Sequence, residues 1–388
     1  KVGADIEAVS KWLDVQLQHL MKQLPWCMKD SESFRHEVIQ VWVPPNACIM
    51  TFDVISMYSN INLDHAIQVI QVWLESYVPE NITDALPHDT ILEALDLVMH
   101  NTIVQFGDSY FLQLVGTAMG TSVAVVFANL YFGWHEKTLL LPKYRDTLKR
   151  IIYHSRFVDD VFFIWTGDTD HIWDELCHDY NKFGILKWET TKPKSAVDFF
   201  ELTLKIKNGP ITTMTYQKPN NPYLYIPPHS SHPLGMINGV IFSLLWTYYH
   251  QNSEYFDFVH FANLLYKRHV MQGWDQTVIK KVFNKAFIKL MTKPSTAPTT
   301  HAPHPINSQD RLFFHMEYHP MDIPRMTIQK IYREECKKVL QKELGVKQLT
   351  VAYSWPNTIG NIIAKAKLYQ VSGKEVSKYI TGELEHQI

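Results

Sequence analysis

The spacing of apolar and polar residues predicts a chain in which helices and strands are mixed. From about Ile6 to Leu24 the apolar positions Val9, Trp12, Leu13, Val15, Leu17 and Leu20 approximate one broad helical face, and Val43-Pro44-Pro45-Asn46 separates that helix from the next element. Cys48 to Val54 reads as a strand, Leu63 to Ser76 and about Asp89 to Val104 as helices, and Tyr110 to Leu114 as a second strand. A turn bounded by Gly116 and Gly120 leads into a small-residue helix from Thr121 to about Lys137. Two apolar runs, Ile151 to Val158 and Val161 to Trp165, enclose Asp159-Asp160, which predicts a hairpin with two carboxylates at its tip. A helix over about Asp170 to Phe183 and strands over Ile185 to Glu189, Phe199 to Ile206 and Ile211 to Tyr216 complete the pattern. The fold class this implies is α+β, a split βαβ arrangement with an antiparallel sheet and helices on one face.

Beyond Gly235 the periodicity is helical. The apolar run Gly239 to Tyr249 falls far short of the ~20 residues that span a bilayer, so it reads as a core helix, and no membrane partner is expected. Two further helices carry Lys267, Arg268, Lys280, Lys281, Lys285, Lys289 and Lys293, of which Lys281, Lys285 and Lys289 share one face. Residues 292–309 are rich in Pro and Thr and read as a linker, and a last helix from about Thr327 to Leu344 leads to a basic tail. The expected segments are therefore 1–45, 46–234, 235–291, 292–309 and 310–388.

Composition sharpens this picture in two respects. With 46% hydrophobic and 13% aromatic residues the chain has ample material for a core, which excludes a largely disordered protein. Four scattered cysteines with no C-x-x-C pair point to neither a disulfide framework nor a thiolate zinc site, and the pair His229 and His232 lacks the further ligands zinc needs. A reducing compartment is expected, and the start at Lys1, with no charged-then-apolar leader, predicts an unsecreted fragment or processed product. The formal charge of -2 conceals an asymmetry: of 37 Lys and Arg and 39 Asp and Glu, 18 and 29 lie in residues 1–260, leaving 19 and 10 for the remainder. An acidic part able to hold metal ions and a basic part able to grip phosphates is one reading; an ordinary solvated surface is the other.

Asp53 ends an apolar strand, and Asp159 and Asp160 lie between two more. Carboxylates in such company are costly unless paired or bound to a cation, and adjacent ones repel. Magnesium, a hard ion that takes one or two carboxylates and completes its shell with water and phosphate, fits them. A second ion roughly 4 Å away would permit in-line nucleotidyl transfer. A plain hairpin turn, in which Asp is favoured, is the alternative.

Three stretches in one order resemble the A, B and C motifs of reverse transcriptases, most closely those of Penelope-like retroelements, relatives of telomerase reverse transcriptase. They are Asp53-Val54-Ile55-Ser56-Met57-Tyr58-Ser59-Asn60-Ile61, the run from Leu112 through Gly116 and Gly120 to Leu130, and Arg156-Phe157-Val158-Asp159-Asp160. Phe199 to Leu204 is similar to motif E, and Tyr216-Gln217-Lys218-Pro219 continues the match. The resemblance covers roughly residues 45–250. It implies a right-hand polymerase in which 46–234 is the palm with fingers elements, 235–291 a helical thumb and 1–45 part of the fingers. It further implies an RNA-directed DNA polymerase of a retrotransposon, nuclear, acting on an RNA template, a DNA primer and dNTPs. Asp53, Asp159 and Asp160 would be catalytic and, with the Val54 carbonyl, would hold two Mg²⁺ ions, with Mn²⁺ able to substitute.

By the same resemblance Tyr58 becomes a steric gate against the 2′-hydroxyl, which also disfavours an RNA-making polymerase; otherwise it is a core aromatic. Gly116 and Gly120 would bring backbone close to template and nucleotide, or simply form a tight turn. Lys192 or Lys194 would protonate the pyrophosphate, and Lys281, Lys285 and Lys289 would track duplex phosphates, unless each is merely solvated. Gln113 would contact nucleic acid, although it and Asn129 read equally well as satisfied core polar groups. The chain departs from the family in having Thr121-Ser122 where a Ser-Pro pair is usual, in lacking a basic motif upstream of Asp53, and in having only Tyr379-Ile380-Thr381-Gly382 as an echo of a GIY-YIG endonuclease. The rival expectation is a truncated, inactive retroelement remnant that only binds nucleic acid.

Overall fold

A computed structural model describes residues 6–78, 87–107, 109–167, 171–191, 194–207, 209–230, 232–233, 235–292, 311–318, 321 and 323–354. Lys192, most of the expected linker and the part of the basic tail beyond Ser354 lie outside these residues. The chain divides into two compact units, and the first comprises, of the described residues, those up to Lys218 together with Gln251–Asp257. The division at Lys218 precedes the expected start of the helical region at 235.

The first unit begins with α1 (Ile6–Gln18), continued by a 3₁₀ turn to Gln23, and α2 (Ser31–Val38), whose N-terminus is capped by Asp30 accepting from the Ser33 amide at 2.8 Å. After β1 (Ala47–Val54) come α3 (Leu63–Tyr77) and α4 (His88–His100). A hairpin of β2 (Ile103–Phe106) and β3 (Ser109–Leu112) comes next, where the expected helix would have run on to Val104. Ile103 and Val104 are β-branched and pair with Leu112 and Phe111 instead of extending the helix. Beyond it, α5 (Ala124–His135), buried nearly all round, passes into a π-helical stretch, Glu136–Thr147. That stretch contains Pro142, which has no amide hydrogen to donate, and the wider turn spares its ring the clash an α-helix would impose.

β4 (Ile151–Phe157) and β5 (Asp160–Thr166) form the expected hairpin, and α6 (His171–Tyr180) and β6 (Trp188–Thr190) come after it. The central sheet has the order β4-β5-β1-β6, antiparallel throughout. Period-two alternation sorts its side chains. Met50, Phe52 and Val54 of β1 and Val161, Phe163 and Trp165 of β5 pack with the helices, beside Trp73, Leu130 and Tyr180. Ile49, Phe162 and Ile164 face the other way onto Phe34 of α2 and a second sheet.

That second sheet contains β7 (Ala196–Phe199), β8 (Leu202–Ile206) and β9 (Ile211–Thr215). The strand expected over Phe199 to Ile206 is thus a turn and a strand. Phe200, at φ +57°, reverses the chain, and its ring packs on Phe157 and Phe199, so the apolar pair Phe199-Phe200 hides a hairpin. The outward amides of β9 are satisfied by side chains returning from Gln251–Asp257. Thr215 N–H donates to Asn252 Oδ1 and Thr213 N–H to Ser253 Oγ, each at 2.9 Å.

The second unit is helical at first: α7 (Met236–Gln251, all but its last residue), α8 (Tyr255–Met271, from Phe258) and α9 (Gln276–Thr292). Within α7, Ile237, Ile241, Leu245 and Tyr248 are buried along one stripe, so the apolar run is a one-sided core helix. Two strands the sequence did not reveal, β10 (Arg311–Glu317) and β11 (Gln348–Ser354), pair in parallel across a crossover holding α10 (Arg325–Ile331), a π turn and α11 (Lys337–Leu344). Among the described residues no helix is long and apolar enough to cross a membrane.

Candidate active site

Asp53 is the next-to-last residue of β1. In the sheet it stands opposite Asp160, the first residue of β5, and opposite Glu189 of β6. Directly opposed residues project from the same face, so Asp160, Asp53 and Glu189 form a row across three strands at one end of the sheet. Asp159 joins them from the hairpin turn, where its carbonyl accepts the Val54 amide at 3.3 Å. The tip of the hairpin is Val158-Asp159 and not the pair of aspartates, because Asp160 is already paired in β5.

Little compensates this negative charge. Partial burial, with Asp159 and Glu189 nearby, holds the Asp53 carboxyl above its ordinary range. Burial, then Asp159 and Asp53, push Asp160 up to about 6, against the pull of Lys218. Raised carboxylate values from burial and like charge mark a place where added positive charge is favourable. The donors are carboxylate oxygens, which suit a hard divalent cation. Among the described residues no group of three or more His, Cys, Asp or Glu side chains is arranged to hold a metal ion. Magnesium needs none, since one or two carboxylates suffice beside water and phosphate.

Tyr58 borders the same charge: partial burial, then Asp159, raise its hydroxyl above the usual value. It lies in the 3₁₀ turn Met57–Ser59, entered through Ser56 at φ +49°. The turn is seamed to the loop after β3. Thr117 N–H donates to the Tyr58 carbonyl at 2.6 Å and Gly116 N–H to that of Ile61 at 3.0 Å. Gly116 has φ +76°, and a Cβ there would lie 2.2 Å from the Tyr58 carbonyl oxygen. Its close approach is therefore to the chain's own backbone. Gly120, at φ +97°, borders open space, with nothing within 4 Å of where its Cβ would be.

The remaining expected site residues are more scattered. Gln113 donates its side-chain amide to the Val115 carbonyl at 2.9 Å. Asn129 is buried and accepts from Arg156, so it is a satisfied core polar group. Lys194 is exposed and bridges Ile49, four positions before Asp53, a displacement of roughly 13 Å along a strand. Lys281, Lys285 and Lys289 are exposed on one face of α9 in the second unit, with Lys289 Nζ 4.3 Å from the Phe242 ring centroid. Glu189 and Lys218 are the neighbours that sequence reasoning missed. Lys218 belongs to the Tyr216-Gln217-Lys218-Pro219 stretch and could have been found there, whereas Glu189 stands out only once β6 is known to pair with β1.

No protein-family profile matches the chain, and no curated protein matches it in sequence. Solved structures similar in shape include telomerase from Candida albicans in complex with a TWJ fragment of telomeric RNA (TM-score 0.49, 12% identity, 76% of this chain and 48% of that one). Apo telomerase from Candida tropicalis gives a TM-score of 0.44 at 14% identity, over 75% of this chain and 52% of that one. The Sicinivirus 3Dpol RNA-dependent RNA polymerase gives 0.40 at 13%, over 67% and 54%. The chain spans about half the length of these telomerase chains.

Proposed function

We propose that this chain is the polymerase core of an RNA-directed DNA polymerase of a Penelope-like retroelement, extending a DNA primer on an RNA template with dNTPs. The observation that carries the reading is the gathering of Asp53, Asp159 and Asp160 at one sheet end, with Tyr58 beside Asp159. Asp53, Asp159 and Asp160, with the Val54 carbonyl, would hold Mg²⁺, which when bound activates the attacking 3′-hydroxyl and stabilises the leaving pyrophosphate. The chain's own contribution is placement. The sheet register sets Asp53 against Asp160, the hairpin turn presents Asp159, and the Gly116–Thr117 seam holds Tyr58 over the same end. On this reading residues 46–234 are palm, the helices of 235–291 are thumb, and the protein works in the nucleus. The test is extension of a labelled DNA primer on an RNA template with dNTPs and Mg²⁺. Absence of extension, with salt-sensitive primer–template binding retained, would instead mark a remnant that binds without copying.

The substrate contacts carry two expectations. If the Tyr58 ring excludes the 2′-hydroxyl, Tyr58→Ala should lower discrimination against ribonucleotides roughly 10- to 100-fold, the range a steric pocket can supply. Competing dNTP and rNTP incorporation measures it, and unchanged discrimination removes Tyr58 from the gate. Replacing Lys281, Lys285 and Lys289 together by Gln should reduce the slope of log affinity for duplex against log salt by about 2 to 3, close to one per phosphate contact. An unaltered slope would leave these lysines as a solvated helix face.

A further inference from the structure

The turn that presents Asp159 is held from inside the core. Arg156 is fully buried, and a guanidinium has five N–H donors, all of which here find acceptors. Nε donates to Glu136 Oε2 at 2.9 Å, Nη1 to Asn129 Oδ1 and the Val158 carbonyl, each at 2.9 Å, and Nη2 to the Asn129 carbonyl at 3.0 Å and Cys27 Sγ at 3.3 Å. Glu136 is itself fully buried; burial raises its carboxyl, but the Arg156 charge, with His154 3.2 Å away and the Trp26 indole N–H donating to Oε2 at 2.8 Å, outweighs this and holds it at about 2. The pair is thus ionised inside an apolar core. A well-packed apolar pair would serve stability as well there, so the ion pair calls for a geometric explanation.

That explanation lies at Val158. Its φ is +49°, a left-handed conformation that a β-branched residue rarely adopts, and its carbonyl is one of the five acceptors of Arg156. Fixing this carbonyl fixes the plane of the Val158–Asp159 peptide, and with it the direction in which the Asp159 side chain leaves the turn. Asp159 is tied on its other side by the Val54 amide, adjacent to Asp53.

We propose that Arg156 is a positioning residue of the active site: held by Glu136 and Asn129, it keeps Val158 in its left-handed turn and so orients Asp159, which together with Asp53 would hold the cation. The inference rests on the polymerase reading, and the test separates the two. Mn²⁺ binding without substrate, followed by electron paramagnetic resonance, is compared with the Mg²⁺ concentration giving half-maximal extension, in proteins shown by thermal unfolding to be folded at the assay temperature. Asp159→Ala tests the reading, because loss of neither Mn²⁺ binding nor extension would overturn it whatever Arg156 does. Arg156→Lys keeps the charge but supplies three donors in place of five. It should weaken Mn²⁺ binding about tenfold, the low end for a residue supporting a metal ligand, and raise the half-saturating Mg²⁺ in parallel. Adding Val158→Gly, which adopts the turn without strain, should recover part of the loss. Unchanged affinity in folded Arg156→Lys, or a loss that Val158→Gly does not relieve, would overturn the proposal. Should Arg156→Lys fail to fold, Asn129→Ala, which removes one of the five acceptors, carries the same arms with a smaller shift.

Discussion

Asp159→Ala should lower the rate of single-nucleotide extension about a thousandfold, on the order of 4 kcal/mol of barrier, while leaving the metal-free protein at least as stable as before. The two halves of this expectation have one cause. Asp159 raises the carboxyl values of both Asp53 and Asp160, so its charge is a burden on the fold when no cation offsets it. Removing it relieves that repulsion and deletes a cation ligand at once. A residue of ordinary structural importance would behave the other way, with stability and rate falling together. Pre-steady-state extension combined with metal-free thermal unfolding reads both quantities, and extension within threefold of the parent would end the polymerase reading of these carboxylates.

Gly116→Ala is expected to have the next largest effect, and here stability falls first. The new methyl would lie 2.2 Å from the Tyr58 carbonyl oxygen and 2.5 Å from Ser59 Cα, both backbone atoms that cannot rotate away. Left-handed strain of about 1–2 kcal/mol adds to two hydrogen bonds worth about 1 kcal/mol each if the seam opens, so a loss of roughly 3–4 kcal/mol is expected. Gly120→Ala isolates the strain alone, because its Cβ would enter open space. Urea unfolding of the two variants should therefore differ by about the cost of the broken seam. Opening the seam also shifts Tyr58, so Gly116→Ala should raise KM for dNTP in whatever folded protein remains. Equal stability of the two variants would show that the seam yields easily.

Features governed by local pattern are legible in the sequence. β1 and the 151–166 hairpin can be read from alternation and run length, and the one-sided α7 from its period. The three aspartates are visible as acidic groups interrupting apolar strands, but their meeting is not, since the register of β1 against β5 joins residues more than a hundred positions apart. Long-range pairing likewise conceals Glu189, and the parallel β10–β11 pair is separated by a whole helical crossover. Phe199-Phe200 misleads for the opposite reason, because an unbroken apolar pair covers a turn in which Phe200 still packs its ring. The role of Arg156 cannot be read from spacing, as its partners Glu136, Asn129 and Cys27 come from other elements.

The return of Gln251–Asp257 to the first unit bears on how the protein is made. β9 emerges from the ribosome with its outer amides bare, and their partners Asn252 and Ser253 are synthesised only after α7. During that interval the strand is an open edge, the kind of surface on which nascent chains pair with one another. Completion of the first unit thus waits for translation of the 219–250 segment of the second. An expression boundary drawn after Lys218 would make the unfinished edge permanent, whereas one drawn beyond Asp257 would close it.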